Sequence, residues 1–127
     1  MLNSKQTTNY KSQNNKHYNL DKRTFEFAKQ IIDYTKNLPK TIAGIEISKQ
    51  LIRSSGSVGA NYIEAEESLS RKDFVMRIKI SKKEAKESRY WLKLSESNES
   101  QIDIKDNLIQ ESLELMKIFG AIVEKCK

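Results

Sequence analysis

Apolar residues recur every three or four positions in four separate segments of the chain, a spacing that places them along one side of a helix. The polar segment SESNESQID interrupts the pattern before the last of these segments. The pattern predicts four helices, from residue 21 or 24 to 37, from about 41 to 67, from 71 to 97 and from 102 or 104 to 125. Short connections favour an all-α, antiparallel up-down-up-down four-helix bundle.

Turn and capping residues support these boundaries. Pro39 is the only proline, and the residue before a proline disfavours helical geometry, so the first helix should stop at Leu38. Thr41 is the expected N-cap of the second helix. Ser70 precedes Asp73 by three residues, which resembles a capping box and predicts the start of the third helix.

The first two helices each carry two neighbouring apolar stripes, which in the first helix predicts heavy burial. In the first helix, Phe25, Ala28, Ile32 and Thr35 form one stripe beside Phe27, Ile31, Tyr34 and Leu38. In the second helix, Ile45, Ile52, Gly59 and Ile63 form one stripe beside Ile47, Leu51, Ser54, Val58, Tyr62, Ala65 and Leu69.

The second helix also contains small residues at positions 54–57, 59 and 60, among them Gly56 and Gly59. Glycine lowers helix stability, so its presence indicates that another element approaches closely. That element is either a neighbouring helix of the same chain or a second subunit.

The chain of 127 residues is 37% hydrophobic, which suffices for one core and one domain. Its net charge of +6 is uneven, because residues 71–93 contain nine basic and three acidic residues, and residues 1–23 five and one. Such concentrated basicity suits an anionic partner such as nucleic acid, although a solvated surface remains an alternative.

Residues 1–20 are rich in Asn, Gln, Ser, Thr and Lys and carry too little aliphatic surface to repay the entropy of ordering. They are predicted to form a flexible polar and basic tail before a bundle domain at 21–127. A single cysteine, Cys126, excludes an intrachain disulfide and indicates a reducing compartment, for which cytoplasm is the simplest choice. No segment is long and apolar enough to span a membrane, so no membrane partner is expected.

Candidate chemistry is sparse, and we predict no catalytic residue, no metal site and no cofactor. Glu84 and Glu87 share a helical face beside Tyr90 and Trp91, but carboxylate-bridged metal bundles also need histidines. The only histidine, His17, lies in the tail. The carboxylates are expected to meet Arg53, Asn61 or Lys83, within one subunit or across a subunit contact.

The basic third helix is the candidate nucleic-acid interface, because its like charges have few acidic partners at helical spacing. Tyr62, Tyr90 and Trp91 could stack on bases, although aromatics at helical spacing are more often core residues. The rival hypothesis is a structural adaptor that recruits a protein partner. The residues predicted to bind nucleic acid are Arg71, Lys72, Arg77, Lys79, Lys82 and Lys83.

Several uncommon sequence motifs occur in order: FAKQIIDYTKNLPKT, QLIRSSGSVGANYIEA, SRKDF and KKEAKESRYWLKL. With them, the chain closely resembles the four-helix bundle proteins of the 23S ribosomal RNA intervening-sequence family. It is also similar to the accessory protein of diversity-generating retroelements. The matching polar and aromatic signature residues are Arg53, Asn61, Glu64, Glu84, Glu87, Tyr90 and Trp91, together with Lys83.

The resemblance implies a small bacterial protein that assembles as a homopentamer. As partners it implies a second copy of the chain, ribosomal or other structured RNA, and a nucleic-acid-processing protein. It does not distinguish ligand-binding roles of the signature residues from subunit contacts.

Overall fold

The computed structural model describes residues 19–127, so the predicted tail, as far as residue 18, and His17 lie outside the described residues. Four helices and one 3₁₀ turn make up the described chain, with no strand in it. They are α1 (Leu20–Thr35), α2 (Ile42–Glu66), α3 (Arg71–Leu94), the turn Glu99–Gln101, and α4 (Ile102–Lys125). The all-α, four-helix prediction is confirmed.

The predicted N-caps are confirmed. The side chain of Thr41 accepts a hydrogen bond from the backbone N–H of Gly44 at 3.0 Å, and that of Ser70 accepts one from Asp73 at 3.1 Å. Each bond satisfies one of the backbone donors that a helix leaves unpaired in its first turn.

Two helices end earlier than predicted. α1 ends at Thr35 rather than near Asn37, and α3 ends at Leu94 rather than Ser97. The backbone of Ser95 is extended, and its buried hydroxyl bonds both Tyr34 Oη at 2.6 Å and the Leu92 carbonyl oxygen at 2.6 Å. These hydroxyl contacts end α3 and join its last turn to that of α1.

One stripe of each helix supplies the core. In α1 the stripe of Phe27, Ile31, Tyr34 and Leu38 is buried. Partly buried residues, Trp91 among them, pack against this core. The large side chains buried most completely are Tyr34, Tyr62, Phe27, Phe74, Phe119, Leu20, Ile31, Leu51, Ile78, Leu92, Leu108 and Leu115.

Helices α2 and α3 pack closely through serines. Ser54 Oγ and Ser88 Oγ are 2.8 Å apart, and Ser81 Oγ donates to the Val58 carbonyl oxygen at 2.9 Å. Both contacts are buried. Small hydroxyl side chains therefore let two backbones approach while satisfying polar groups that burial would otherwise penalise.

Two glycines of α2, Gly56 and Gly59, differ in how closely another element approaches them. A Cβ at Gly59 would lie 3.0 Å from Thr24 Oγ1 and 3.2 Å from Thr24 Cβ, so α1 is the element that approaches there. A Cβ at Gly56 would meet no atom within 4 Å. Close approach within one subunit accounts for Gly59 but not for Gly56.

The predicted heavy burial of both stripes of α1 is wrong, and one apolar stripe of α2 is exposed as well. Phe25 is 64% exposed and Ile63 57% exposed, because the core can cover only one side of each helix. Leu69, placed on the buried stripe of α2, lies beyond the end of that helix and is exposed.

Two further observations complete the fold. Arg23 makes a bidentate ion pair with Glu111, at 2.8 and 2.7 Å, that ties α1 to α4. This hydrogen bonding raises the pKa of Arg23 above its ordinary value. None of the described helices combines the length and apolar composition needed to cross a membrane.

Candidate nucleic-acid interface

Four basic side chains of α3 line one groove on its outer side, next to the end of α4. Arg71, Lys72, Lys79 and Lys83 border it, and the groove volume is about 720 Å³. We call this feature the basic groove; its other lining residues are Asp73, Val75, Met76, Ile80 and Cys126. Four cations and one carboxylate therefore share a concave surface.

Helical geometry explains how these side chains meet. Positions 72, 76, 79 and 83 follow one another at intervals of three or four, so they project from one side of α3. The Ser70 cap starts the helix at Arg71, which places Arg71 and Lys72 in the first turn. Cations are unfavourable at that end because the helix dipole is positive there, and an anion bound nearby would offset the effect.

The groove cations have no anionic partner within the described chain. The ion pairs found among residues 19–127 use Arg23, Lys36, Lys49, Arg53 and Lys127, and none uses a lysine or arginine of the basic groove. Their mutual repulsion is therefore left to solvent or to a ligand.

Two of the six predicted nucleic-acid residues lie elsewhere on α3. Arg77 donates a hydrogen bond to Asn61 Oδ1 of α2 at 3.0 Å. The ammonium group of Lys82 lies over α4, 3.3 Å from where a Cβ of Gly120 would be. Near it, Lys127 hydrogen-bonds Glu124 and is the main cause of that carboxyl's lowered pKa, with a smaller coulombic contribution from Lys82. The structure thus brings together four of the six.

The predicted carboxylate pair meets Arg53 within one subunit. Arg53 donates to Glu84 at 2.9 Å and also bonds Glu87, which in turn accepts from Trp91 Nε1 at 3.2 Å. Hydrogen bonding to Glu84 is the largest cause of a raised pKa at Arg53. Because the Glu84 side chain is largely buried, this network fixes α3 against α2 and is not available as a free acid or base.

The remaining signature residues differ in their surroundings. Asn61 bridges Arg77 and the Ser57 carbonyl oxygen, while Glu64 is exposed. Tyr90 is exposed and meets Trp91 edge-on, with ring centroids 5.1 Å apart. Tyr62 is buried in the core, which excludes it as a base-stacking residue. Residues 19–127 contain no cluster of three or more metal-ligating side chains.

A second surface lies across the first two helices, on their exposed apolar stripes. We call it the apolar α1–α2 face. A groove of about 410 Å³ lies along its middle, where Phe25 and Ala28 of α1 lie opposite Gly56 and Ile63 of α2. The face comprises Phe25, Ala28, Ile32, Ile52, Gly56, Ala60 and Ile63.

The relationship of the chain to known proteins agrees with this architecture. A family model described as 23S rRNA-intervening sequence protein matches residues 16–121. The chain belongs to the 23S rRNA-intervening sequence protein family. The resemblance to this family, inferred from the motifs of α1 to α3, is therefore confirmed.

The chain is also similar to a protein whose crystal structure has been solved. It is a protein with unknown function from the S23 ribosomal protein family, from Bacteroides thetaiotaomicron, with a TM-score of 0.67 and 31% sequence identity. The similarity covers 82% of this chain and 97% of that chain. Among curated proteins, none matches.

Some residues of the basic groove of this family member were not assigned to the site from the sequence. Met76 and Ile80 could have been placed between the lysines from their spacing in α3. Cys126 could not, because it joins the groove only through the way α4 packs against α3. Its contribution depends on tertiary structure and has no local sequence signal.

Proposed function

We propose that this chain is a non-enzymatic, cytoplasmic RNA-binding protein that contacts structured RNA through the basic groove. The observation that carries the proposal is the set of four cations, Arg71, Lys72, Lys79 and Lys83, that share one groove without an anionic partner among residues 19–127. Phosphates would supply the missing charge. The family description points to ribosomal RNA as the first ligand to test.

Phosphate contacts determine the expected binding behaviour. Lys and Arg that neutralise phosphates release condensed counterions, so affinity falls steeply as salt rises. Such contacts position an RNA without reading its sequence, so sequence discrimination is expected to be weak.

We further propose that the protomer is an antiparallel up-down-up-down bundle that assembles as a homopentamer, the state that its family resemblance implies. The apolar α1–α2 face supports self-association, because an exposed apolar patch bordered by polar residues is typical of an interface. Phe25→Ser combined with Ile63→Ser should disrupt the assembly seen by sedimentation velocity while helical circular dichroism is retained. An unchanged sedimentation coefficient would reject this face as the subunit contact.

The apolar α1–α2 face also favours the second candidate function, a structural adaptor. In that case the face recruits a protein partner, such as a nucleic-acid-processing protein, and the charges of α3 serve solubility. The two functions differ in what the cations of the basic groove do.

A matched pair of charge reversals separates the two functions. Lys79→Glu with Lys83→Glu alters the basic groove, while Lys40→Glu with Lys117→Glu makes the same change in net charge at exposed sites outside it. Binding of labelled ribosomal RNA fragments should weaken at least about tenfold in the groove variant and much less in the control.

The alternatives give different results in the same assay. Equal weakening in the two variants would mean that only net charge matters. RNA binding unaffected by the groove variant would favour the adaptor. Lys82→Glu, outside the groove and with half the change in net charge, should weaken binding no more than the control pair does.

A further inference from the structure

We infer that the basic groove accommodates unpaired nucleotides, so that its ligand is single-stranded or bulged RNA rather than a continuous duplex. The inference rests on the proposed function, which assigns RNA to this groove. It specifies the structural class of that RNA from the chemistry of the groove floor.

The floor between the cations is apolar. Val75, Met76 and Ile80 supply it, and Met76 is 48% exposed. A surface that contacts only phosphates gains nothing from apolar side chains between its cations. The faces of unpaired bases, by contrast, can lie against apolar side chains, and the methionine thioether is polarizable and adapts to aromatic rings.

A duplex cannot use this floor. In an A-form helix the bases are stacked inside, and the major groove is too deep and narrow for side chains to read. Only sugars and phosphates would face Met76 and Ile80, leaving their apolar surface poorly covered. Unpaired bases in loops, bulges and single strands turn outward and can enter a groove.

The arrangement of the cations fits a strand that runs along α3. Arg71 and Lys83 are separated by about 18 Å along the helix axis at about 1.5 Å per residue. Phosphates can therefore contact cations at both ends while a base lies on the floor between them. An acidic amphipathic peptide is the rival occupant, but docked helices depend on several apolar anchors, and this groove offers four cations for three apolar side chains.

The only cysteine of the chain reports on groove occupancy. Cys126 lines the groove and is partly exposed, so a neutral alkylating reagent should reach it in the free protein. We propose to measure its alkylation rate with a short single-stranded RNA, with the blunt duplex of the same sequence, and with an acidic amphipathic peptide. The single strand should slow alkylation roughly fivefold or more, and the duplex should bind more weakly and protect little.

Two substitutions that leave the charge unchanged locate the effect on the floor. Met76→Ser should weaken single-strand binding roughly fivefold and leave the weaker duplex binding unaltered, since each methylene-sized apolar group buried against a base contributes on the order of 0.8 kcal/mol. Leu69→Ser is the matched control, because Leu69 is exposed but lies outside the groove. Leu69→Ser should change neither single-strand binding nor duplex binding.

Each contrary outcome has a distinct meaning. Equal binding and equal Cys126 protection by single strand and duplex, with Met76→Ser silent, would overturn the inference and leave the proposed function standing. Absence of binding to either RNA would overturn both. Protection by the acidic peptide alone would make the groove a protein-docking site and would also overturn both.

Discussion

Gly56 and Gly59 lie one helical turn apart on α2, yet alanine at the two positions should have opposite effects. At Gly59 the new Cβ would lie 3.0 Å from Thr24 Oγ1 and 3.2 Å from Thr24 Cβ, closer than ordinary van der Waals contact. At Gly56 it would meet nothing within 4 Å. The two substitutions are chemically identical, so any difference between them reports on packing.

The expected magnitudes follow from two opposing terms. Alanine is about 1 kcal/mol more favourable than glycine in a helix interior, so Gly56→Ala should raise the free energy of unfolding by up to that amount. At Gly59 overpacking costs about 1–3 kcal/mol. Thr24 cannot easily rotate away, because its buried hydroxyl donates to the Leu20 carbonyl oxygen at 2.7 Å. Gly59→Ala should therefore lower the free energy of unfolding by about 0–2 kcal/mol.

Urea unfolding of both variants and the parent protein, followed by circular dichroism, measures this difference. The series should be repeated over a range of protein concentrations, because self-association adds stability that depends on concentration. The concentration-independent part should be higher for Gly56→Ala than for Gly59→Ala by about 1–3 kcal/mol. If Gly59→Ala were as stable as Gly56→Ala, the close contact between α1 and α2 would not constrain the fold.

Three further predictions test other parts of the structure. Gly44→Ala would place a Cβ on the backbone carbonyl of Pro39. The free energy of unfolding should therefore fall by at least about 2 kcal/mol, and the thermal midpoint should fall with it. An unchanged midpoint would contradict the packing of this turn. Arg53→Met leaves the largely buried Glu84 carboxylate without its cation, so the free energy of unfolding measured in urea should fall by about 1–3 kcal/mol. Adding Glu84→Gln should recover part of that loss. Strictly additive effects of the two substitutions would refute the coupling between the two side chains. Burial raises the pKa of Tyr62, so the folded state holds the phenolic proton more tightly than the unfolded state. The stability contribution of Tyr62 should therefore be constant below about pH 10 and fall at higher pH by up to about 1.4 kcal/mol per pH unit. Thermal melts between about pH 9 and 11 should show a shallower fall for Tyr62→Phe; an identical fall would assign the alkaline sensitivity to other groups.

The helices were predictable because their signals are local. The three- or four-residue period and the Thr41 and Ser70 caps act within one or two turns, so they can be recognised without knowing the tertiary structure. Burial was not predictable to the same degree. The neighbouring stripes of Phe25 and Phe27 have the same apolar character, and only the positions of the other helices decide that Phe27 is buried and Phe25 exposed.

The candidate site shows the same division. The excess of basic residues in α3 was evident from the sequence, and so was the absence of many acidic partners at helical spacing. Which cations share a groove depends on how α2 and α4 flank α3. Packing directs Arg77 toward Asn61 on one side and Lys82 toward Gly120 on the other, leaving the remaining four around the basic groove.

The salt dependence of RNA binding addresses the proposed role of the basic groove. The logarithm of the binding constant for a ribosomal RNA fragment should fall linearly with the logarithm of salt concentration. Four phosphate contacts predict a slope of about −3 or steeper for each protomer that binds the RNA. Lys79→Glu with Lys83→Glu should reduce the magnitude of this slope by about 2. A slope near zero, or one that this double substitution leaves unchanged, would show that the basic groove does not bind the RNA backbone.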